Sequence, residues 1–190
     1  MLRVEPLERG KGFDFENKIR GGIIPTEFIP SIERGIREAM EEGVIAGYPV
    51  VDIKVTLYDG SFHEVDSSDI AFKIASAIAF RNAVGKASPF LMEPIMKTDI
   101  YTPEKFLGDV IADLNTRRAK IVLIDTKGNL SAIRAFVPLG NVFGYATDLR
   151  SITQGRATFT LEFSHYEKTP NYIQEKILLE RKGIQNGEKK

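Results

Sequence analysis

Residues 120–137, KIVLIDTKGNLSAIRAFV, predict two strands joined by a tight turn. Aliphatic and β-branched residues dominate both arms, and a Lys-Gly-Asn sequence at 127–129 separates them. Such runs bounded by turn residues are typical of neighbouring strands. The sequence on either side of this stretch decides which fold contains them.

The flanking segments complete a regular order of elements. Thr102 and Pro103 have the composition of a helix cap followed by a first-turn proline. The predicted elements are a strand at 91–101, a helix from Thr102 to about Arg117, a helix from Pro138 to about Asp148, a strand at 157–166 and a last helix from Asn171 to about Lys182. Between residues 91 and 166 the order is therefore β-α-β-β-α-β, that of a split βαβ or ferredoxin-like domain.

A second set of elements precedes this order. Strands are expected at 2–7, 13–19 and 49–58, and helices at 29–42 and 66–84. The first helix is expected to carry Ile32, Ile36, Ala39 and Met40 on one face and to end at Gly43. In the strand at 49–58, the side chains of Val51, Ile53, Val55 and Leu57 are expected to face one way. Asp66 is the expected cap of the second helix, with Asp69 in its first turn. The apolar face of that helix is expected to contain Ile70, Ala71, Ile74, Ala77 and Ile78. The fold class is thus α+β.

The 190 residues suit two small domains. We predict a βαβ-type domain over residues 1–89. A ferredoxin-like domain follows over 90–170, and a C-terminal helix with a frayed tail occupies 171–190. The tail itself is expected from Gly183 onward.

Composition excludes several kinds of site. The chain has 26 basic and 26 acidic residues, no cysteine and two histidines, so we expect no catalytic site, no metal site and no disulfide. No phosphate-binding loop, dinucleotide-binding glycine motif or nucleophile elbow is present. No apolar run approaches the roughly 20 residues of a membrane span, and a cytoplasmic protein is expected.

Local sequence singles out two polar regions. His63, flanked by Phe62 and Glu64, lies in a loop between a predicted strand and a predicted helix, where functional residues are often found. The second region contains cations that could bind phosphates or could simply favour helix ends and solvent: Arg117, Arg118, Arg150, Gln154 and Arg156.

Longer blocks carry a resemblance to a known family. Residues 21–25 (GGIIP), 47–59 (GYPVVDIKVTLYD) and 60–72 (GSFHEVDSSDIAF) are similar to domain IV of bacterial translation elongation factor G. Residues 108–118 (GDVIADLNTRR), 143–151 (FGYATDLRS) and 153–156 (TQGR) are similar to its domain V. The resemblance is colinear from about residue 2 to about residue 180.

The resemblance implies a mechanical part of a translocase. It implies that Phe62, His63 and Glu64 form a tip that faces tRNA and mRNA at 16S rRNA of the decoding centre. It implies that the second domain contacts 23S rRNA and the stalk-base protein, and we infer that the arginines and Gln154 serve there. GTP and magnesium are expected only on a GTPase domain that this chain lacks, and the chain is expected to be a monomer.

The resemblance implies that the first domain is like domain 2 of ribosomal protein S5 and is incomplete, because the loop and strand that open domain IV should lie upstream of Leu2. The chain is therefore expected to be a C-terminal fragment. An unpaired sheet edge there would invite pairing with another chain. Two alternatives are a ribosomal protection protein of the same architecture and a stand-alone RNA-binding adaptor.

Overall fold

A computed structural model describes the backbone of residues 1–187 and side chains through Arg181. The chain divides into two compact units. The first contains Met1–Leu91 together with the segment that begins at Pro170, and the second contains Met92–Thr169. The predicted α+β class with two small sheet-and-helix units is confirmed.

The first unit has a three-stranded sheet and three helices. Its elements are β1 (Leu2–Pro6), β2 (Phe13–Asn17), α1 (Ile29–Glu42), β3 (Ile53–Leu57), α2 (Asp69–Lys86) and α5 (Asn171–Gly187). The strand order is β1-β3-β2, with β1 antiparallel and β2 parallel to the central strand. The tail expected to fray is helical through Gly187, and its residues 188–190 lie outside the described residues.

The core of this unit lies between the helices and the sheet. As predicted, α1 buries Ile32, Ile36, Ala39 and Met40, and it ends at Gly43. The two helices come very close at Gly35, where a Cβ would lie 2.2 Å from the carbonyl oxygen of Lys73. Only glycine allows this approach, so Gly35 determines which face of α2 is buried.

The predicted start of α2 is wrong, and its predicted apolar face is wrong at the three isoleucines, although Ala77 packs against the core. Ser68, not Asp66, caps the helix by accepting a hydrogen bond of 3.2 Å from the Ala71 N–H. The side chains of Ile70, Ile74 and Ile78 are 70%, 54% and 51% exposed. The buried positions of α2 are Ser76, Phe80 and Val84. Since α2 is apolar on several faces, periodicity did not identify the face that packs against α1.

The strand β3 is shorter than the predicted 49–58. Asp52 has a φ of +56°, which interrupts the extended backbone just before the strand begins at Ile53. Val51, predicted to point inward with the alternating residues of the strand, is 54% exposed. The inward positions of β3 are Ile53, Val55 and Leu57, all buried.

The second unit has a four-stranded antiparallel sheet and two helices. Its elements are β4 (Met92–Pro103), α3 (Leu107–Thr116), β5 (Lys120–Lys127), β6 (Leu130–Pro138), α4 (Tyr145–Ile152) and β7 (Thr158–Lys168). The strand order is β5-β6-β4-β7. This is the predicted β-α-β-β-α-β chain order, with both helices contributing to one core.

Both helices of this unit begin later than predicted. Thr102 is fully buried within β4 opposite Ser131 rather than capping a helix. Proline holds its preceding residue in extended backbone, which favours continuation of the strand. Short 3₁₀ turns at Glu104–Phe106 and Leu139–Asn141 then lead toward α3 and α4.

The alternation of strand residues builds the core. In β6, Ile133, Ala135 and Val137 are buried, whereas Arg134 between them is exposed. Ile133 and Ala135 belong to one hydrophobic cluster with Val110 and Leu114 of α3. Within residues 1–187, no helix is long and apolar enough to cross a bilayer.

Candidate nucleic-acid interface

Hydrogen bonds within the loop between β3 and α2 hold its backbone in place. The His63 N–H donates to Ser67 Oγ at 3.1 Å. The His63 carbonyl oxygen accepts from the N–H groups of Asp66 and Ser67 at 3.2 and 3.0 Å. These bonds make a compact turn that satisfies both backbone polar groups of His63. The His63 backbone is therefore fixed by hydrogen bonds in which its imidazole takes no part.

An aromatic cluster anchors the same loop to both helices. The Phe28 ring, just before α1, stacks on Phe72 of α2 with 4.8 Å between centroids. The Phe62 ring lies 5.8 Å from Phe28. Aromatic pairs at such distances stabilise beyond the area that they bury. We call Phe28, Phe62 and Phe72 the aromatic brace.

Two further contacts fix the base of the loop. Gly60 lies so close to the buried Ile24 that a Cβ would come within 2.4 Å of its Cδ1 atom. The Ser31 hydroxyl of α1 donates to the Asp69 carboxylate in the first turn of α2. These contacts link the base of the loop to Ile24 and to the beginnings of α1 and α2.

The three predicted tip residues face different surroundings. His63 and Glu64 are exposed, and their neighbour Val65 is 94% exposed. Phe62 is half-buried in the aromatic brace. The loop therefore offers an imidazole and a carboxylate to solvent and keeps the aromatic ring for internal packing.

Arg117 and Arg118 are engaged within the second unit. The Arg117 Nε atom lies 2.8 Å from Asp113 and its Nη1 atom 3.0 Å from the Asn141 carbonyl oxygen; Asp148 is a further partner. The hydrogen bond to Asp113 is the main cause that raises the pKa of Arg117. This side chain is only 13% exposed. Arg117 thus joins α3 to the segment before α4.

Arg118 makes a bidentate contact. Its Nη1 and Nη2 atoms lie 3.0 and 2.6 Å from the two carboxylate oxygens of Glu93. Its φ is +62°, an unfavourable conformation for a residue with a Cβ. The ion pair between Arg118 and Glu93 of β4 therefore occurs at the residue whose backbone is strained, just after the end of α3.

The remaining predicted residues are exposed at the end of α4. Arg150 lies in the last turn, and Gln154 and Arg156 lie in the turn that follows. This turn is held by hydrogen bonds from the Gly155 N–H to the Arg150 carbonyl oxygen at 2.8 Å and from the Arg156 N–H to Thr153 at 3.1 Å. The structure thus places Arg150, Gln154 and Arg156 in one exposed segment. Arg117 and Arg118 are not part of it, because their side chains contact carboxylates elsewhere in the unit.

Sequence reasoning missed the aromatic brace and the Ser31–Asp69 bond. Nothing in the spacing of residues 28, 62 and 72 indicates a cluster, since three different elements supply them. The cap of α2 did have a signal in the sequence, because Ser68 directly precedes the acidic first turn that begins at Asp69. Among the described side chains, no three His, Asp or Glu residues are grouped to hold a metal ion.

Comparison with known proteins gives one family for both units. Residues 1–88 match the family model for domain IV of elongation factor G, and residues 90–177 match that for the elongation factor G C-terminus. The chain is 58% identical over 181 residues to elongation factor G of Aquifex pyrophilus, covering 95% of this chain and 26% of that protein.

A solved structure has a similar fold. A crystal structure from Thermus thermophilus matches with a TM-score of 0.80 and 43% identity, covering 96% of this chain and 27% of that one. The chain therefore spans about a quarter of the length of these relatives.

Proposed function

This chain belongs to the elongation factor G family through domain IV and the C-terminal domain, and we propose that it is a ribosome-contacting part of a translocase. In this proposal the loop of the first unit enters the decoding centre and meets tRNA and mRNA. The second unit contacts large-subunit rRNA and the stalk-base protein. The chain acts by its shape and surface groups, and GTP hydrolysis belongs to the rest of a longer factor.

The observation that carries the proposal is the state of His63. Both of its backbone polar groups are hydrogen-bonded within the loop, while the imidazole is exposed. An imidazole can donate to a phosphate or ribose oxygen, and a fixed backbone reduces the entropy lost on binding. This arrangement suits a rigid contact with RNA better than a catalytic site.

The charge distribution in the second unit supports different roles for its arginines, some structural and others in RNA binding. Arg117 and Arg118 are neutralised by carboxylates and hold the domain together. Arg150 and Arg156 are exposed and supply the charge for phosphate contacts. The proposed rRNA contact is therefore the end of α4, with Gln154 as a hydrogen-bonding partner.

The test is co-sedimentation of the 190-residue chain with vacant 70S ribosomes, combined with hydroxyl-radical footprinting of both large rRNAs. We expect protection in the decoding region of 16S rRNA and about fivefold weaker binding for His63→Ala, the loss of one hydrogen bond. His165→Ala is the matched control, since it removes the other exposed histidine, and should change affinity less than twofold.

A result in which both histidine variants lose affinity equally, or in which the chain does not sediment with ribosomes, would contradict the proposal. Binding to free single-stranded RNA with the same affinity as to ribosomes would favour a stand-alone RNA adaptor instead.

A further inference from the structure

A row of exposed side chains runs along α2, from the turn before the helix to its last residue. Helical positions four apart lie on neighbouring turns of the same face, so the members of this row follow one another along the surface. Its three isoleucines are 70%, 54% and 51% exposed, and its other members are exposed as well. We call this row the isoleucine ridge; its members are Asp66, Ile70, Ile74, Ile78, Asn82 and Lys86.

The two charged members of the ridge differ from the other charged side chains of α2. Lys73 and Arg81 each make an ion pair with a glutamate of α1. Among the side chains that the structure describes, Asp66 and Lys86 have no ion-pair partner within 4.0 Å. An unpaired negative charge therefore lies at one end of the ridge and an unpaired positive charge at the other, with the isoleucines between them.

We propose that the isoleucine ridge binds the same ridge of a second copy of this chain, with the two α2 helices antiparallel. Asp66 and Lys86 lie at equal distances in sequence from position 76. Antiparallel helices that cross at this position bring Asp66 of each copy to Lys86 of the other. The same crossing places Ile74 opposite Ile78 of the second copy. The ridge is thus complementary to itself in charge and in apolar character.

The charges select the direction of the pair, and the row itself suits helix packing. Parallel helices would place like charges side by side at both ends of the ridge, which is unfavourable. Rows of residues four apart form the ridges that pack into the grooves of a neighbouring helix. Beside the isoleucines, Ala71 and Ala75 are small and leave a groove for the side chains of the second copy.

The chemistry of the ridge favours a protein helix over RNA or lipid. RNA binding depends on several cations that neutralise phosphates, and the ridge has one cation balanced by one carboxylate. Helices that bind anionic membranes carry many Lys and Arg residues beside their apolar face. The inference goes beyond the proposed function and does not rest on it. The expected monomer is then the state of the chain at low concentration.

The experiment is sedimentation equilibrium of the 190-residue chain over a wide range of concentration. We expect the average mass to rise from 21.2 kDa toward twice that value. A small interface is weak, so half-association is expected at about 100 μM. Ile74→Glu puts a charge inside the apolar contact and should abolish the rise in mass. Leu179→Glu, at an α5 side chain that is also 70% exposed, is the matched control and should associate within about twofold of the parent.

Exchange of the two charges tests the antiparallel arrangement. Asp66→Lys alone and Lys86→Asp alone each place like charges at both ends of the pair. Each should weaken self-association about tenfold, the scale of two exposed ion pairs replaced by repulsions. An equimolar mixture of the two single variants should associate about as strongly as the parent, because each supplies the charge that the other lacks. The double variant Asp66→Lys, Lys86→Asp should associate within about twofold of the parent.

Urea unfolding of every variant verifies that the chain remains folded. A parent that is still monomeric at about 1 mM would overturn the proposal. So would a double variant no stronger than the single ones, or equal weakening by Ile74→Glu and Leu179→Glu. If Ile74→Glu lost affinity for 70S ribosomes while the parent did not self-associate, the ridge would bind a ribosomal protein and the proposed second copy would be wrong.

Discussion

The ring of Phe28 is stacked on that of Phe72, with 4.8 Å between centroids and 29° between planes. One ring precedes α1 and the other lies in the first part of α2, so their contact links the beginnings of the two helices. Phe62 extends the contact into the loop that carries His63. The position of an exposed imidazole therefore depends on half-buried rings outside the loop.

Phe72→Ala should destabilise the first unit by about 2 kcal/mol, less than the roughly 3–5 kcal/mol of a fully buried phenylalanine because Phe72 is only half-buried. It should also increase hydrogen exchange at the His63 amide, since the loop loses its anchor. Urea unfolding and amide exchange measure the two effects. Phe143→Ala, at a side chain 78% exposed, is the control and should change stability by less than about 0.5 kcal/mol. An unchanged His63 amide would show that the brace does not hold the loop.

Sequence could predict which segments form helices and strands, but not always which face is buried. The face of α1 was predictable because polar and apolar residues separate cleanly around it. α2 also has isoleucines on the exposed side, and the close approach at Gly35 selects the buried face. That approach joins two helices far apart in sequence, so no local pattern reports it.

Arg117→Ala should destabilise the second unit by about 2–3 kcal/mol, because it leaves the Asp113 carboxylate without its main partner at a largely buried site. Arg150→Ala should change stability by less than about 0.5 kcal/mol, since its side chain is exposed. Thermal or urea unfolding measures the loss of stability in each variant. The comparison is between Arg117, which has partners inside the unit, and the exposed Arg150. Equal losses of stability would contradict the proposed division between bracing and binding arginines.

The candidate site illustrates a second limit of sequence reasoning. Local sequence indicates basic residues near helix ends, but it does not indicate which of them meet carboxylates. Glu93 and Arg118 come together because the left-handed backbone at Arg118 ends α3 beside β4. Cations with such internal partners and cations free to bind RNA have the same appearance in one sequence.

Tyr145→Phe should leave the second unit as stable or increase its stability by about 0.5–1 kcal/mol. The Tyr145 hydroxyl is buried and has no hydrogen-bond partner among the described residues. Removing an unsatisfied buried hydroxyl removes a desolvation cost without losing a bond. Urea unfolding at neutral pH measures the change, with Tyr101→Phe as a control at a side chain 44% exposed. A loss of more than about 1 kcal/mol would show that the hydroxyl has a stabilising partner.

Alkaline pH provides an independent test of the same residue. Burial, followed by the nearby Asp113 charge, raises the pKa of Tyr145 above its ordinary value of 10.0. The folded state then keeps the proton while the unfolded state loses it, so stability falls as the pH rises past about 10. The stability gained by Tyr145→Phe should therefore be larger at about pH 11 than at about pH 8. If the stability difference between Tyr145→Phe and the parent became smaller as the pH rises, the raised pKa of Tyr145 would be contradicted.

Asp52 should make the first unit sensitive to acid. Burial raises the pKa of its carboxyl, but hydrogen bonds from the Gly12 and Gly10 N–H groups and the charge of Arg9 outweigh burial and lower it below 3.8. The Gly12 bond is 2.9 Å long and joins the turn before β2 to the start of β3. Because the folded pKa is lowered, its contribution is present above the ordinary pKa and is lost as the pH falls through the folded value.

Asp52→Asn keeps an oxygen acceptor for Gly12 and tolerates the positive φ, but it removes the charge. It should be less stable than the parent by about 1 kcal/mol at neutral pH, the scale of a charged hydrogen bond reduced to a neutral one. The two proteins should converge as the pH is lowered toward about 2, because the parent carboxyl is then protonated as well. Urea midpoints measured from neutral pH down to about pH 2 follow this convergence, and Asp125→Asn on an exposed strand position is the control. A gap that stays constant over that range would mean that the Asp52 charge does not stabilise the turn.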